Sequence, residues 1–276
     1  MIYSRAPLLL SQLYTLANRS TRKITMSDYR AFNHPTENEP TQITLEPGES
    51  HHLVAVNRAK AGSTVVVFNG QGTEWICELT KDSKRAAELT VRSKQQAAPM
   101  PFRISLAQAL PKGGTMEAIV RKATEIGAAK IIPLQSERTQ MQLDQNRSDR
   151  KTEKWATTAL EAAKQCGNPW LPAIEPVQNT STFFEQPGNY DLKLIASLHS
   201  GAKSLKTVLQ HYAQSHDALP RTVLWVIGPE GDFTPAEMGI AQNAGFEPIT
   251  LGPLVLRCET AAIYALSVLS YELSIP

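Results

Sequence analysis

Apolar positions follow two different periods along this chain, and the change falls near residue 100. Between residues 28 and 99 they come in short β-branched or aromatic runs, over 43–45, 64–68, 75–79 and 88–91. The runs are strand-sized and separated by turn formers: Pro47-Gly48, Gly62 and Asn69-Gly70-Gln71-Gly72. Asn-Gly between two such runs is a strong hairpin signal, because both residues tolerate the positive φ that a tight hairpin turn needs. This region predicts a small β-rich domain of the size of a binding module. Gln95-Gln96-Ala97-Ala98-Pro99 reads as a linker.

From Phe102 onward, strand-sized runs over 104–109, 130–134, 192–196, 223–227 and 247–251 alternate with helical stripes. Met116, Ile119, Val120, Ala123 and Ile126 share one helix face that Gly127 closes; Trp155, Ala159, Ala162, Ala163 and Cys166 share a second. Leu205, Val208, Leu209 and Tyr212 form a third, with Ser204 as its N-cap. The strongest start signal is Thr234-Pro235-Ala236-Glu237. Threonine caps, proline takes the first helical position, glutamate completes a capping box, and Phe233 can staple to Met238. A last helix is expected over 261–273. Such βα repetition predicts an α/β fold with a mostly parallel sheet, whose ligands sit beyond the carboxyl ends of the strands.

Composition narrows the class. Of 276 residues, 42% are hydrophobic and 20% charged, which is ample for a core and excludes a disordered chain. The cysteines Cys77, Cys166 and Cys258 are odd in number and far apart, which argues for a reducing, cytoplasmic setting. No apolar run approaches the roughly 18 residues of a membrane helix. Net charge is only +2, but it is unevenly spread: residues 103–164 carry eleven basic and seven acidic side chains, residues 165–276 five and ten. One face can therefore meet a polyanion while another does not. Residues 1–27 hold four basic residues and no acid, which suits an organellar targeting segment or an over-long reading frame starting ahead of Met26. The expected division is thus 1–27 extension, 28–99 small β-rich domain of binding-module size and 100–276 α/β domain.

Two strand–loop–helix transitions can carry chemistry. Gly228-Pro229-Glu230-Gly231 follows an apolar strand and precedes the capped helix, so backbone N–H groups can receive a polar ligand there. Dinucleotide and P-loop fingerprints are absent, and Glu230 and Asp232 disfavour a bare triphosphate, leaving a nucleoside-like ligand or a purely structural turn. In Leu251-Gly252-Pro253-Leu254-Val255-Leu256-Arg257-Cys258-Glu259, leucines can line a pocket while Arg257 and Glu259 enter the last helix. That pair can fix a polar base and adjust its protonation, or can simply bind each other. Arg257 beside Cys258 would lower the thiol pKa. The six histidines show no metal-ligand spacing, so no metal site is expected, and there is no G-x-S-x-G elbow. Lys112, Arg138, Arg147, Arg150, Lys151 and Lys154 are candidates for phosphate contact, or solvated helix faces.

These residues resemble the RsmE family of 16S rRNA (uracil-N3)-methyltransferases in the SPOUT superfamily. The resemblance rests on Lys112-Gly113, the run from Arg121 to Gly127, the run from Ile132 to Arg138, Glu161-Ala162-Ala163-Lys164-Gln165, Ile227-Gly228-Pro229-Glu230-Gly231 and the run from Leu256 to Ala261. His51-His52-Leu53, Arg58 and Phe68-Asn69-Gly70-Gln71-Gly72 resemble that family's PUA-like RNA-binding barrel. The resemblance implies a deep trefoil knot in the second domain, a homodimer, and methylation of uridine 1498, in conventional rRNA numbering, on the assembled small subunit. It also implies S-adenosylmethionine bound by Leu198, His199, Gly228, Pro229, Glu230, Gly231, Leu251, Gly252, Leu254 and Leu256, and RNA contacts through Arg58 and the basic residues above. This chain departs from the pattern at Asn57, at Asp232 where a second glycine is usual, at Cys258 where threonine is common, at Asn168 where arginine is usual, and at Pro169-Trp170.

Moving a methyl group onto uracil N3 requires loss of a proton whose pKa lies a few units above neutrality. Glu259 is the expected base or relay, Arg257 the group that holds the oxygen gaining charge, and Gln165 a further polar relay. A related SPOUT enzyme acting on a ribose 2′-hydroxyl or another base, and a non-catalytic RNA-binding protein, remain open at this point.

Overall fold

The computed structural model describes residues 29–35, 39–139, 144–199 and 201–274. The basic extension lies outside them. Two sheets carry the fold. The first contains β1 (Tyr29–Phe32), β2 (Gln42–Thr44), β3 (Thr64–Phe68), β4 (Thr73–Lys81) and β5 (Glu88–Gln96), in the order β1-β3-β4-β5-β2. Asn69-Gly70 turns β3 into β4 as a hairpin, with Gly70 and Gly72 at φ +73° and +86°. Strand β5 runs on through Gln95 and Gln96. Gln95 donates to Glu74 at 2.8 Å, so the expected linker is shorter than its composition suggests. A short helix α1 (Pro47–His51) passes directly into a π-helical turn, His52–Val56, that the apolar periodicity did not predict.

The second sheet contains β6 (Arg103–Ala109), β7 (Lys130–Gln135), the short β8 (Ala173–Ile174) and β9 (Gln178–Asn179), then β10 (Leu192–Ala196), β11 (Thr222–Ile227) and β12 (Glu247–Ile249). All its pairings are parallel, in the order β12-β10-β11-β6-β7-β8, with β9 also on β7. Helices α2 (Thr115–Ile126), α3 (Gln145–Cys166), α4 (Thr180–Glu185), α5 (Leu205–His216), α6 (Pro235–Asn243) and α7 (Cys258–Ser274) cover both faces.

Alternation along β11 shows why this sheet must be covered twice. Val223, Trp225 and Ile227 enter one core with α2, α5 and α7, while Leu224 and Val226 enter the other with Phe183, Phe184 and Met238. Each fully buried large side chain contributes about 1.5–3 kcal/mol, so neither face of this strand can be left wet. The predicted helix stripes are the buried ones, with Ile126 and Tyr212 partly buried at their ends; Cys166 departs from them, being exposed while Lys164 is buried. Gly127 closes α2 at φ +91°, and Ser204 and Thr234 accept the expected cap hydrogen bonds.

The two sheets meet along the hairpin turn. Gly72 donates to the Pro169 carbonyl at 3.0 Å, and Leu171 donates to that of Gly70 at 3.0 Å. A Cβ on Gly72 would stand 2.2 Å from the Trp170 ring, so only glycine fits there. Asn168 accepts from Trp170 N–H at 2.9 Å, which gives Asn168 and Pro169-Trp170 a role in joining the two units. Buried Lys164 adds ion pairs to Glu49 of α1 (2.8 Å) and to Glu161 (2.6 Å).

Candidate active site

Strands β12, β10 and β11 are neighbours, and their carboxyl ends open into one cleft of about 290 Å³. Parallel sheets place their ligands beyond the carboxyl ends of their strands. The cleft is lined by Ala196, Ser197 and Leu198 after β10, by Ile227, Gly228, Pro229, Glu230 and Asp232 after β11, and by Leu251, Gly252, Leu254, Val255 and Leu256 after β12. Arg257, Cys258 and Ala261 close it at the start of α7.

Eight of the residues expected to hold a cofactor therefore converge: Leu198, Gly228, Pro229, Glu230, Leu251, Gly252, Leu254 and Leu256. Gly231 and His199 flank the cleft without lining it. Gly231 carries no steric requirement of its own, since a Cβ would meet Arg138 at an ordinary 3.5 Å. The constraint lies at Gly228, where a Cβ would approach Asp232 Oδ1 at 3.3 Å and the Phe233 ring at 3.4 Å. Gly252 sits at φ +116°, a backbone state that other residues adopt only with strain.

Asp232 has φ +58°, a left-handed backbone state that glycine adopts without strain, which gives the resemblance's expectation of glycine here a physical reason. Aspartate tolerates the left-handed region, and here its carboxylate accepts from Phe233 N–H at 2.8 Å. Sequence reading passed over Ser197 and Asp232 as lining residues. Their signal was weak, because it depends on strand ends that only the sheet order brings together.

Arg257 is exposed and lines the cleft's helical end, whereas Glu259, two residues on and half-buried, is not among the lining residues. Among the described residues neither side chain forms an ion pair or hydrogen bond. Gln165 is exposed on the last turn of α3 and is not among the cleft residues; a relay through it would run outside the cleft. The Cys258 thiol is pushed up to about 11, first by burial and then by the charges of Glu230 and Glu259. This reverses the expectation of a thiol made acidic by Arg257: the carboxylates, not the guanidinium, dominate its surroundings.

The basic candidates separate into three groups. Lys112 and Arg138 stand at the glycine loop. Lys112 N–H donates to Glu230 at 2.9 Å, and the Arg138 guanidinium donates to the Gly231 carbonyl at 2.7 Å. Arg147, Arg150, Lys151 and Lys154 lie on the first turns of α3. Two of these are already engaged: Arg147 pairs with Asp144 at 3.4 Å and Lys154 with Glu117 at 2.7 Å. Burial raises the Glu117 pKa, but the Lys154 hydrogen bond and the Lys154 and Lys151 charges outweigh it and hold the carboxyl below its usual range. Arg58 is exposed on the first sheet unit at φ +60°. Among the described residues no cluster of His, Cys, Asp or Glu is able to hold a metal ion.

Comparison with known proteins agrees with this geometry. Residues 98–270 match a family described as RNA methyltransferase domain, and residues 45–92 one described as RNA methyltransferase PUA domain. The ribosomal RNA small subunit methyltransferase E of Bacillus subtilis is 32% identical over 86% of this chain and 92% of its own length. That of Synechocystis is 34% identical over 87% and 76% respectively. A methyltransferase from Legionella pneumophila, solved with the cofactor S-adenosylmethionine bound, superimposes with a TM-score of 0.79 at 32% identity, covering 89% of this chain and 98% of its own. A PUA-like sheet followed by a parallel sheet with a cleft at the carboxyl ends of its strands, and this degree of likeness over nearly the whole described chain, lead to one conclusion: the chain belongs to the RsmE family of SPOUT RNA methyltransferases.

Proposed function

We propose that this chain methylates N3 of a uridine in 16S rRNA of the small ribosomal subunit, with S-adenosylmethionine as methyl donor. The observation that carries the reading is the single cleft in which the two glycine-bearing loops and the start of α7 converge. Relatives named for small-subunit RNA methylation, and a relative solved with the cofactor bound, support it.

The cleft fits such a ligand. Leu198, Leu251, Leu254 and Leu256 supply apolar walls, while Gly228 and Gly252 leave backbone accessible between them. Those residues, with Pro229, Glu230 and the flanking His199 and Gly231, would hold it. The bound cofactor supplies an electrophilic methyl group. Glu259 takes the N3 proton, and Arg257 holds the uracil oxygen that gains negative charge. Arg138 and Lys112 at the rim, the α3 cluster and Arg58 hold the RNA backbone. The first sheet unit, residues 28–99, acts as the RNA-binding domain and residues 100–276 as the catalytic one.

A trefoil knot is supported by the path around β12. Strand β12 pairs with β10 on one side, while the chain beyond β10 returns on the other, with Lys203 donating to Pro248 (2.9 Å) and Thr250 donating to Lys203 (3.0 Å). The protein works in the cytoplasm as a homodimer. Tyr264 and Tyr271, two turns apart on α7 and 47% and 67% exposed, offer its contact face. The deciding experiment is nucleoside mass spectrometry of 16S rRNA from a strain lacking the gene. N3-methyluridine should vanish and return on complementation; its persistence would end the proposal.

A further inference from the structure

The capping glutamate of α6 makes more bonds than a helix cap requires. Glu237 is 1% exposed. One carboxylate oxygen accepts from Thr234 N–H at 2.8 Å, which completes the capping box. The other accepts from the Thr180 hydroxyl at 2.6 Å and from Glu137 N–H at 3.1 Å. One buried side chain thus joins three segments far apart in sequence: the end of the glycine loop, the start of α4, and the turn after β7.

That turn carries Arg138. It is closed on itself by Thr139 donating to the Ser136 carbonyl (3.1 Å), by Ser136 N–H donating to the Thr139 hydroxyl (3.1 Å) and by the two hydroxyls at 2.9 Å. A turn so closed moves as a body, and Glu137 N–H is its bond to Glu237. From there Arg138 reaches across to the Gly231 carbonyl at 2.7 Å. The glycine loop is therefore gripped twice, by Arg138 at Gly231 and by Glu237 at Thr234, and the two grips share one short turn. A buried carboxylate with three donors holds its geometry tightly, because releasing any donor leaves a buried polar group unpaired.

We propose that Glu237 is a positioning residue that sets the placement of Arg138 against the cofactor loop, and so couples the cofactor side of the cleft to its RNA-facing rim. The proposal rests on the methyltransferase reading given above. Glu237 itself touches no substrate and acts through the turn.

Glu237→Asp separates this role from capping. Aspartate still caps a helix from this position, but it is one methylene short of Glu137 and Thr180. Initial rates of methyl transfer to isolated small subunits, measured with Glu237→Asp, Arg138→Ala and the double variant, give kcat and KM for the subunit. Each single variant should raise KM about fivefold to tenfold with kcat changed less, and Glu237→Asp should cost less than about twofold in the Arg138→Ala background. Equal losses in both backgrounds, or a Glu237→Asp enzyme with unchanged KM, would overturn the proposal. If Glu237→Asp does not fold, Thr180→Val removes only the donor at the far oxygen. It should show the same dependence on Arg138 at smaller size, and additivity there overturns the proposal equally. Absence of methylation by the unaltered chain would count against the methyltransferase reading instead, a failure visible before any variant is compared.

Discussion

The loop after β11 and the loop after β12 occupy equivalent places in the sheet and are held very differently. The first is braced from outside by Lys112 N–H on Glu230, by Arg138 on Gly231 and by Glu237 on Thr234, and from within by Asp232 N–H on the Pro229 carbonyl at 3.0 Å. The second has one brace from outside, Thr250 N–H on the Lys203 carbonyl at 3.0 Å; otherwise Thr250 and Gly252 bond each other, and Ala261 N–H closes on the Arg257 carbonyl at 2.8 Å. Leu254 and Val255 between them are 71% and 79% exposed. The braced loop loses its conformational freedom on folding and can meet a small ligand preformed. The second, open loop leaves Leu254 and Val255 uncovered, apolar surface that RNA or a second subunit would bury on the proposed reading. Both loops line the cleft, and on the proposed reading both hold the cofactor, the braced loop as a preformed wall and the open one with the residues proposed for chemistry at its far end.

The sharpest way to break that contrast is at the end of the open loop. Glu259→Gln keeps the shape and removes the charge, and should slow single-turnover methylation by about 10²–10⁴-fold while calorimetry shows nearly unchanged S-adenosylmethionine binding. Higher pH should partly restore the rate, because uracil then ionises without help. Arg257→Ala should be slow too but gain less from high pH. A Glu259→Gln protein that loses cofactor binding would make Glu259 part of the cofactor's hold or of the local structure and remove it as the base.

Next in size is the braced loop. Gly228→Val pushes against Asp232 and Phe233 and should weaken cofactor binding by tenfold or more, about 1.4 kcal/mol for each factor of ten. Gly231→Ala should change it less than about threefold, since the added methyl meets only ordinary contacts. Equal effects of the two would mean that the loop is not held as described. Smaller still, Lys112→Ala should weaken binding of small subunits modestly and flatten the salt dependence of log K by about one contact. An unchanged slope would remove Lys112 from the RNA surface.

The smallest effect concerns the thiols. Burial pushes Cys77 up to about 12, and burial with Glu230 and Glu259 pushes Cys258 up to about 11. The native state keeps those protons longer than the unfolded chain does. Their contribution to stability is therefore full below the ordinary thiol pKa and is lost as pH rises toward 11–12. Thermal melts of Cys258→Ala should lose less stability between neutral and alkaline pH than the parent. Alkylation at neutral pH should mark exposed Cys166 first.

Local periodicity determined much of this protein without help. The run from Thr222 to Ile227, the stripe from Met116 to Ala123 and the box from Thr234 to Glu237 each specify an element through side chains within a few residues, and the structure builds all three. The glycines of the two loops were legible for the same reason, as backbone needs that one residue type meets. Strand β1 was not, because four residues with no flanking turn signal carry too little pattern. Nor was the buried place of Lys164, whose partner Glu49 lies more than a hundred residues away.

The site divided in the same way. Glu237 could be read as a cap from its neighbour Thr234, yet its bonds to Glu137 and Thr180 span 100 and 57 residues and exist only once β7, α4 and α6 are packed. The sequence by itself determined the longer strands and helices, but not β1, β8, β9, α4 or the π-helical turn. Only the tertiary structure decided which strand ends stand side by side, which glycine is sterically bound and which carboxylate lies beside Cys258. Helix stripes and turns are set by energies between near neighbours, whereas strand order and buried polar links depend on contacts that no short window contains.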